Sequence, residues 1–216
     1  MPEGKKDLLS LLQSGGATEE ELVACLVEDE SGRDPFEDHA AHAAHQRDKD
    51  GWTPLHWASQ DGHDRLVTKL LELHVSANAK DKCGATPLMI AAFNNRKNAV
   101  LALLEAETTD VRQVNQYLST AIHYAAQRGH ADVIEMIIRA RADVDPPDRH
   151  ADTPLSWAAR SGHLEAVRKL VEMRADPLQD NNASEDSIEL AKANGHIDVV
   201  EIMEAHVGDP ELLAMS

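Results

Sequence analysis

Apolar residues recur three and four positions apart in five stretches of this chain: DRLVTKLLEL (64–73), NAVLALLEA (98–106), ADVIEMIIRA (131–140), LEAVRKLVEM (164–173) and IDVVEIMEA (197–205). That spacing gathers the apolar side chains into one stripe and predicts an amphipathic helix in each stretch. A shorter, Ala-rich block precedes each one: DKDGWTPLHWASQDGH (48–63), DKCGATPLMIAAFNNR (81–96), NQYLSTAIHYAAQRGH (115–130), DRHADTPLSWAARSGH (148–163) and NNASEDSIELAKANGH (181–196). The first four stand in register at a period of about 33 residues. The fifth keeps its Ala-x-x-x-Gly-His end and loses Thr-Pro.

The punctuation of a row predicts its local structure. Pro54, Pro87 and Pro154 suit a first helical turn, which needs no amide donor there, and the Thr before each can cap the orphan amides. Gly62, Gly129, Gly162 and Gly195 suit the left-handed residue that ends a short helix. After the second helix come Ala/Asp/Asn/Val segments such as SANAKDKCG and ADVDPPDRHA, whose Gly, Pro and Asp residues suit a turn. Each row therefore reads as helix, turn, helix and a hairpin-like finger.

Thr-Pro-Leu-His-x-Ala, then Gly-His, then Val-x-x-Leu-Leu, repeated over residues 48–206, resembles the ankyrin-repeat family. The resemblance implies an all-α solenoid of helix-turn-helix units with β-hairpin-like fingers, capped at both ends. It divides the chain into a helical N-terminal cap (1–30), an acidic, His-rich insertion (31–47), repeats at 48–80, 81–114, 115–147, 148–180 and 181–206, the last a degenerate cap, and a tail (207–216). In the cap, Lys5–Ser14 and Thr18–Glu28 read as helices split by Gly15-Gly16, with Leu8, Leu11, Leu12, Leu22, Leu26 and Val27 on their buried sides. Departures from the pattern are Asn95 for Gly, Ala121 for Pro, Met89 and Ser156 for His, and one extra residue between Thr86 and Thr120. Their effect is expected to stay local, since stacked repeats touch only their neighbours.

The histidines divide into two groups. His56 and His123 occupy the His of Thr-Pro-Leu-His, while His63, His130, His163 and His196 follow the helix-ending Gly, and the resemblance makes both sets structural. His39, His42 and His45 lie outside the register. Asp34-Pro35-Phe36-Glu37 is a helix-start signature and predicts a short helix over about 35–45. Histidines at i and i+3 on such a helix could share Zn(II) with Asp38, so a metal-dependent protein using these histidines is an alternative reading. The plainer reading is a polar stripe on an inserted helix, with no metal and no cofactor.

Composition limits the chemistry further. Aromatics make up only 3% of the chain, so the core has to come from Leu, Val, Ile and Ala. A formal charge of -17 disfavours double-stranded nucleic acid and anionic membrane surfaces and permits a basic partner. Cys25 and Cys83 are too few for a disulfide framework, which points to the cytoplasm, nucleus or another reducing compartment. LLSLL is short for a signal-peptide core, and no apolar run approaches a membrane span. Phosphate loops, Gly-x-Ser-x-Gly, His-Glu-x-x-His and a recognisable cysteine nucleophile are all missing, so no catalytic site and no small-molecule substrate are expected.

What remains is recognition of another protein, as an adaptor, scaffold or complex subunit, or alternatively as an inhibitor or targeting chaperone for a client. The resemblance implies contacts from the fingers and from the residues before the helix-ending Gly. Those positions are Lys49, Asp50, Trp52, Gln60 and Asp61; Lys82, Cys83, Ala85, Phe93 and Asn94; Gln116, Tyr117, Ser119, Gln127 and Arg128; Arg149, His150, Asp152, Arg160 and Ser161. Trp52, Phe93 and Tyr117 are the expected anchors, because aromatics commonly dominate interface energetics. Trp57 and Trp157, inside helices, are expected to pack between repeats.

Overall fold

The computed structural model describes residues 7–26 and 43–208, in which the regular structure is helix and turn. The chain divides into two compact units, Met1–Asp110 and Val111–Ser216.

In the first unit, α1 (Leu8–Ser14) and α2 (Glu19–Ala24) precede α3 (Pro54–Asp61), α4 (Asp64–Glu72), α5 (Pro87–Phe93) and α6 (Lys97–Glu105). The second holds α7 (Ala121–Gln127), α8 (Ala131–Arg139), α9 (Pro154–Ser161), α10 (Leu164–Glu172), α11 (Ser187–Ala193) and α12 (Ile197–Val207). First helices stack on first helices and second on second: α1 on α3 and α3 on α5, α2 on α4 and α4 on α6. The second unit repeats the arrangement, with α7 on α9 and α9 on α11, α8 on α10 and α10 on α12. The buried stripe of the second helices is Leu66, Val67 and Leu70, then Val100 and Leu103, then Val133, Ile134 and Ile137, then Val167 and Leu170, then Val199 and Met203. Each such side chain contributes roughly 1.5–3 kcal/mol by leaving water.

Start and stop signals act where the residues place them. Thr53, Thr86 and Thr153 are N-caps with Pro at the first helical turn, and Thr120 still caps α7 where Ala121 replaces Pro. Gly162 shows why glycine ends these helices. Its φ is 71°, and a Cβ there would come within 2.5 Å of the His196 ring. Asn95 takes over this role at φ 57°, a conformation Asn tolerates better than most residues.

The N-terminal segment is a helix pair stacked on the next pair as the repeats are. α1 and α2 are shorter than their expected spans; Leu8, Leu12, Leu22 and Leu26 are buried, Leu9 joins them, Leu11 is half-buried, and Val27 lies outside the described residues. Glu19 Oε1 accepts the amides of Arg65 at 2.7 Å and Leu66 at 3.4 Å, so α2 supplies the N-terminal acceptor that α4 lacks in its own sequence. Of the helix expected over 35–45, residues 43–45 are helical, with Ala44 buried and His45 exposed. His39, His42 and the acidic stretch before them lie outside the described residues.

The fingers are tight turns rather than two-stranded hairpins. Asp48, Asp81, Asn115, Asp148 and Asn181 each exchange one backbone bond with the residue four positions on, as in Asp48 N–H to Trp52 O at 2.9 Å. Each also accepts two amides on its side-chain oxygen, as Asp81 Oδ1 does from Cys83 and Ala85. In a five-residue loop the Asp or Asn side chain thus supplies the acceptors that a longer strand ladder would otherwise provide.

Candidate partner-binding face

Buried polar side chains fix the fingers against the first helices. His56 Nδ1 accepts the Thr53 amide at 3.1 Å, and His56 Nε2 stands 3.1 Å from Ala85 O in the next finger. A carbonyl can only accept, so the Nε2 atom carries the proton and the ring is neutral. His123 repeats this with Thr120 N at 3.1 Å and Asp152 O at 3.2 Å. Burial lowers the His56 pKa and brings that of His123 down to about 4. Ser156 replaces the ring in the following repeat, meeting Thr153 and reaching Ser187 Oγ at 3.2 Å.

A second set of ties holds the ends of the first helices. His163 Nε2 donates to Gln127 O at 2.9 Å, and His196 Nε2 donates to Arg160 O at 3.2 Å. Arg96 stands in the same register and donates from Nε to Gln60 O at 2.8 Å. His56, His123, His163 and His196 are therefore fold residues, and no three His, Cys, Asp or Glu side chains gather as a metal site among the described residues.

Finger tips are joined in line within each unit. Lys82 N–H donates to Asp50 O at 3.0 Å in the first, while Arg149 N–H donates to Tyr117 O and Asn182 N–H to His150 O, both at 2.9 Å, in the second. Arg47 adds a clamp that sequence reasoning missed, donating to Gly51 O at 3.0 Å and to Lys80 O at 2.7 Å. Lys49, Asp50, Lys82 and Cys83 are exposed in the first unit, with Gln60, Asp61, Phe93 and Asn94 half-buried. Gln116, Tyr117, Gln127, Arg128, Arg149, His150, Arg160 and Ser161 are exposed in the second. Ala85, Ser119 and Asp152 are buried, because the residue closing each finger turns in toward the preceding helix.

Trp52 occupies that same closing register, which modifies the expectation that it projects freely. Its ring lies 5.0 Å from Trp57 and 5.9 Å from His56, and its Nε1 donates to Asp81 Oδ2 at 3.1 Å. The indole is half-buried and ties one finger to the next. Trp57 and Trp157 likewise reach their own fingers, donating to Asp48 Oδ2 at 3.1 Å and Asp148 Oδ2 at 3.2 Å. Trp157 also packs between repeats, edge-on to His123 at 5.3 Å.

Tyr117 is 42% exposed, and the Arg149 guanidinium carbon sits 4.7 Å from its ring centroid. Beside it Leu118, also missed in the sequence, is 49% exposed and holds a φ of 60°. The signal was its register: Leu118 falls where the first two fingers carry Gly51 and Gly84. On the second helices, by contrast, Glu72, Glu135 and Glu172 are occupied by neighbours. Lys69 pairs with Glu72 at 3.2 Å, and Lys169 pairs with Glu135 at 3.1 Å and Glu172 at 3.2 Å.

A family model described as Ankyrin repeats (3 copies) matches residues 11–115 and again residues 108–181. No curated protein matches the chain. Among the described residues, no helix is long and apolar enough to cross a membrane.

Proposed function

The chain belongs to the ankyrin-repeat family, whose repeats are generally protein–protein interaction modules and typically non-enzymatic, and we propose that this member serves as a non-enzymatic adaptor, scaffold or complex subunit. Its partner docks on the fingers and first-helix ends of each unit: Phe93 is the anchor in the first, with Trp52 contributing the edge that its clamp leaves open, and Tyr117 is the anchor in the second. In the first unit Lys49, Asp50 and Lys82 are the exposed contact residues, with Gln60, Asp61 and Asn94 half-buried; in the second they are Gln127, Arg128, Arg149, His150 and Arg160.

The observation that carries this reading is a contrast between faces. Backbone bonds from tip to tip hold the fingers in place, yet the side chains at those tips point to solvent. Lys69, Glu72, Glu135, Lys169 and Glu172 on the second helices are instead matched among themselves. A preorganised surface binds at lower entropic cost, and exposed aromatic and Arg side chains are the usual hot spots.

Affinity capture with quantitative mass spectrometry tests the proposal. A partner retained by the parent should be lost from Phe93→Ala and Tyr117→Ala, whose Tm stays near the parent's, and kept by Glu72→Ala and Glu172→Ala. The reverse pattern would move the docking site to the second helices and overturn the assignment.

A further inference from the structure

We propose that a cavity at the C-terminal ends of α4 and α6 takes a Lys or Arg side chain from a basic segment of a partner protein. The site belongs to the second helices of the first unit and is independent of the reading of the fingers.

α4, α8 and α10 close in one way. Each runs into a left-handed residue, His74 at φ 57°, Arg141 at 65° and Arg174 at 72°, and the next amide returns to the helix, as Val75 N–H does to Leu70 O at 3.2 Å and Ala175 N–H to Leu170 O at 3.0 Å. The turn folds Val75 and Ala175 in as buried residues. α6 ends otherwise, in the interval between Thr86 and Thr120 that holds the extra residue. Ala106 is extended at φ -71° and ψ 118°, its amide meets Leu103 O at 3.3 Å, and Thr108, in the register of Val75 and Ala175, is exposed. The place that an apolar side chain fills at the other helix ends is open here, as a cavity of about 550 Å³, within the size range of ligand sites. Asn78 holds the loop that forms one wall, donating to Thr108 O at 2.6 Å and accepting the Asp110 amide at 2.9 Å.

Leu71, Val75, Ala102 and Ala106 supply the apolar lining, and the titratable groups around it are Glu72, His74, Glu105 and Glu107. No Lys or Arg lines it. Lys69 on α4 is committed to Glu72 at 3.2 Å, and the basic residue of α6, Lys97, stands in its first turn at the far end. Among the described residues no ion pair or hydrogen bond includes the carboxylates of Glu105 or Glu107, and no donor meets Leu104 O or Glu105 O. The negative end of the α6 dipole adds to the same field. An acidic ligand is repelled there, and a neutral apolar one would cover the lining while leaving two carboxylates short of water with no counter-charge. A Lys or Arg side chain meets both conditions, because its methylene stem packs on the apolar residues while its head reaches the carboxylates. The formal charge of -17 draws basic segments toward the chain, and the cavity gives one residue of such a segment a seat.

Heteronuclear NMR titrations of the full, isotope-labelled chain test this with three peptides of Gly and Ser, carrying at their centre a pair of Lys, of norleucine or of Glu. The Lys peptide should shift the amides of residues 71–76 and 102–108 saturably, with a Kd below about 1 mM. Glu105→Gln combined with Glu107→Gln should weaken it by about tenfold or more. Glu165→Gln combined with Glu201→Gln, an equal change of charge in the second unit, should leave it as in the parent, and so should Phe93→Ala. Shifts spread along the chain, or an equal loss in the second-unit pair, would reduce the binding to general attraction and overturn the site. Loss on Phe93→Ala with none on the Glu105 and Glu107 pair would place the peptide on the finger face instead. Norleucine binding as tightly as Lys would overturn the ligand class. Binding of the Glu peptide, or no saturation by the Lys peptide up to about 5 mM, would refute the inference outright.

Discussion

Asp145 offers the sharpest test of the physical account, because another repeat contains the comparison. Its Oδ2 accepts the Asp176 amide at 2.9 Å, while its Oδ1 is buried without a hydrogen-bond partner. At the corresponding place in the first unit, Asn78 accepts the Asp110 amide at 2.9 Å and donates from Nδ2 to Thr108 O at 2.6 Å. An ionised carboxylate cannot make the second bond. Burial, then repulsion from Asp176 and Asp143, pushes the Asp145 pKa from 3.8 up to about 6, against the Asp176 amide, which favours the charged form.

A rise of that size corresponds to about 3 kcal/mol at 1.36 kcal/mol per pH unit, and partial exposure reduces the usable part to about 1–2 kcal/mol. The folded pKa lies above the unfolded one, so the stability tied to the neutral acid is fully present below about pH 4 and is lost as pH rises through about 6. Asp145→Asn keeps an acceptor for Asp176, supplies an N–H donor and carries no charge. It should be more stable than the parent by about 1–2 kcal/mol at pH 7.5, with the gap closing toward pH 4. Urea titrations of both chains, followed by far-UV circular dichroism at pH 4.5, 6 and 7.5, measure the difference directly. A variant less stable at pH 7.5, or a gap that does not change with pH, would refute the reasoning.

Acid should act on His123 in the opposite direction: its pKa falls from 6.5 to about 4 on burial, so its contribution is present above about pH 6.5 and lost as pH drops toward 4. His123→Gln should therefore cost about 1–3 kcal/mol at pH 7 and flatten the acid limb of the stability profile, which the same titrations read. Leu103, fully buried in α6, should cost about 2–5 kcal/mol when changed to Ala, and half-buried Ile202 in α12 should cost clearly less in the same urea assay. Glu19→Ala should lower stability by about 1 kcal/mol, since it removes the acceptor for two amides at the start of α4. Exchanging His39, His42 and His45 together for Gln should leave zinc content and Tm unchanged, as metal analysis and a thermal melt will show.

The repeat was legible because its signals are local. Thr53-Pro54 and Gly62-His63 each mark a helix boundary within two residues, and recurrence at a constant period makes every copy a check on the others. The side-chain directions on the fingers depend on residues about thirty positions away and were not legible in the same way. Trp52 looks free when its own row is read alone, yet its indole N–H is taken by Asp81 of the next finger. Arg96 looks like a missing His until its Nε is placed against Gln60 O, where it makes the bond the histidines make elsewhere.

Charge was the least legible property, and the reason is physical. A sum over the chain weights Asp148 and Asp152 equally with any surface Glu, and that sum permits a basic partner. A ligand responds to the groups it can reach, and hydrogen bonding removes those two carboxylates from its reach. Arg128 and Arg149 stay on the surface because their long stems carry the guanidinium outward, while short Asp side chains in a tight turn fold back on the turn's own amides. The Asp that opens a finger is thus the residue least able to present its charge. At the second unit's middle finger Arg149 is exposed while Asp148 beside it is buried and hydrogen-bonded, so the charges that a finger presents follow from its turn geometry and not from the chain's total.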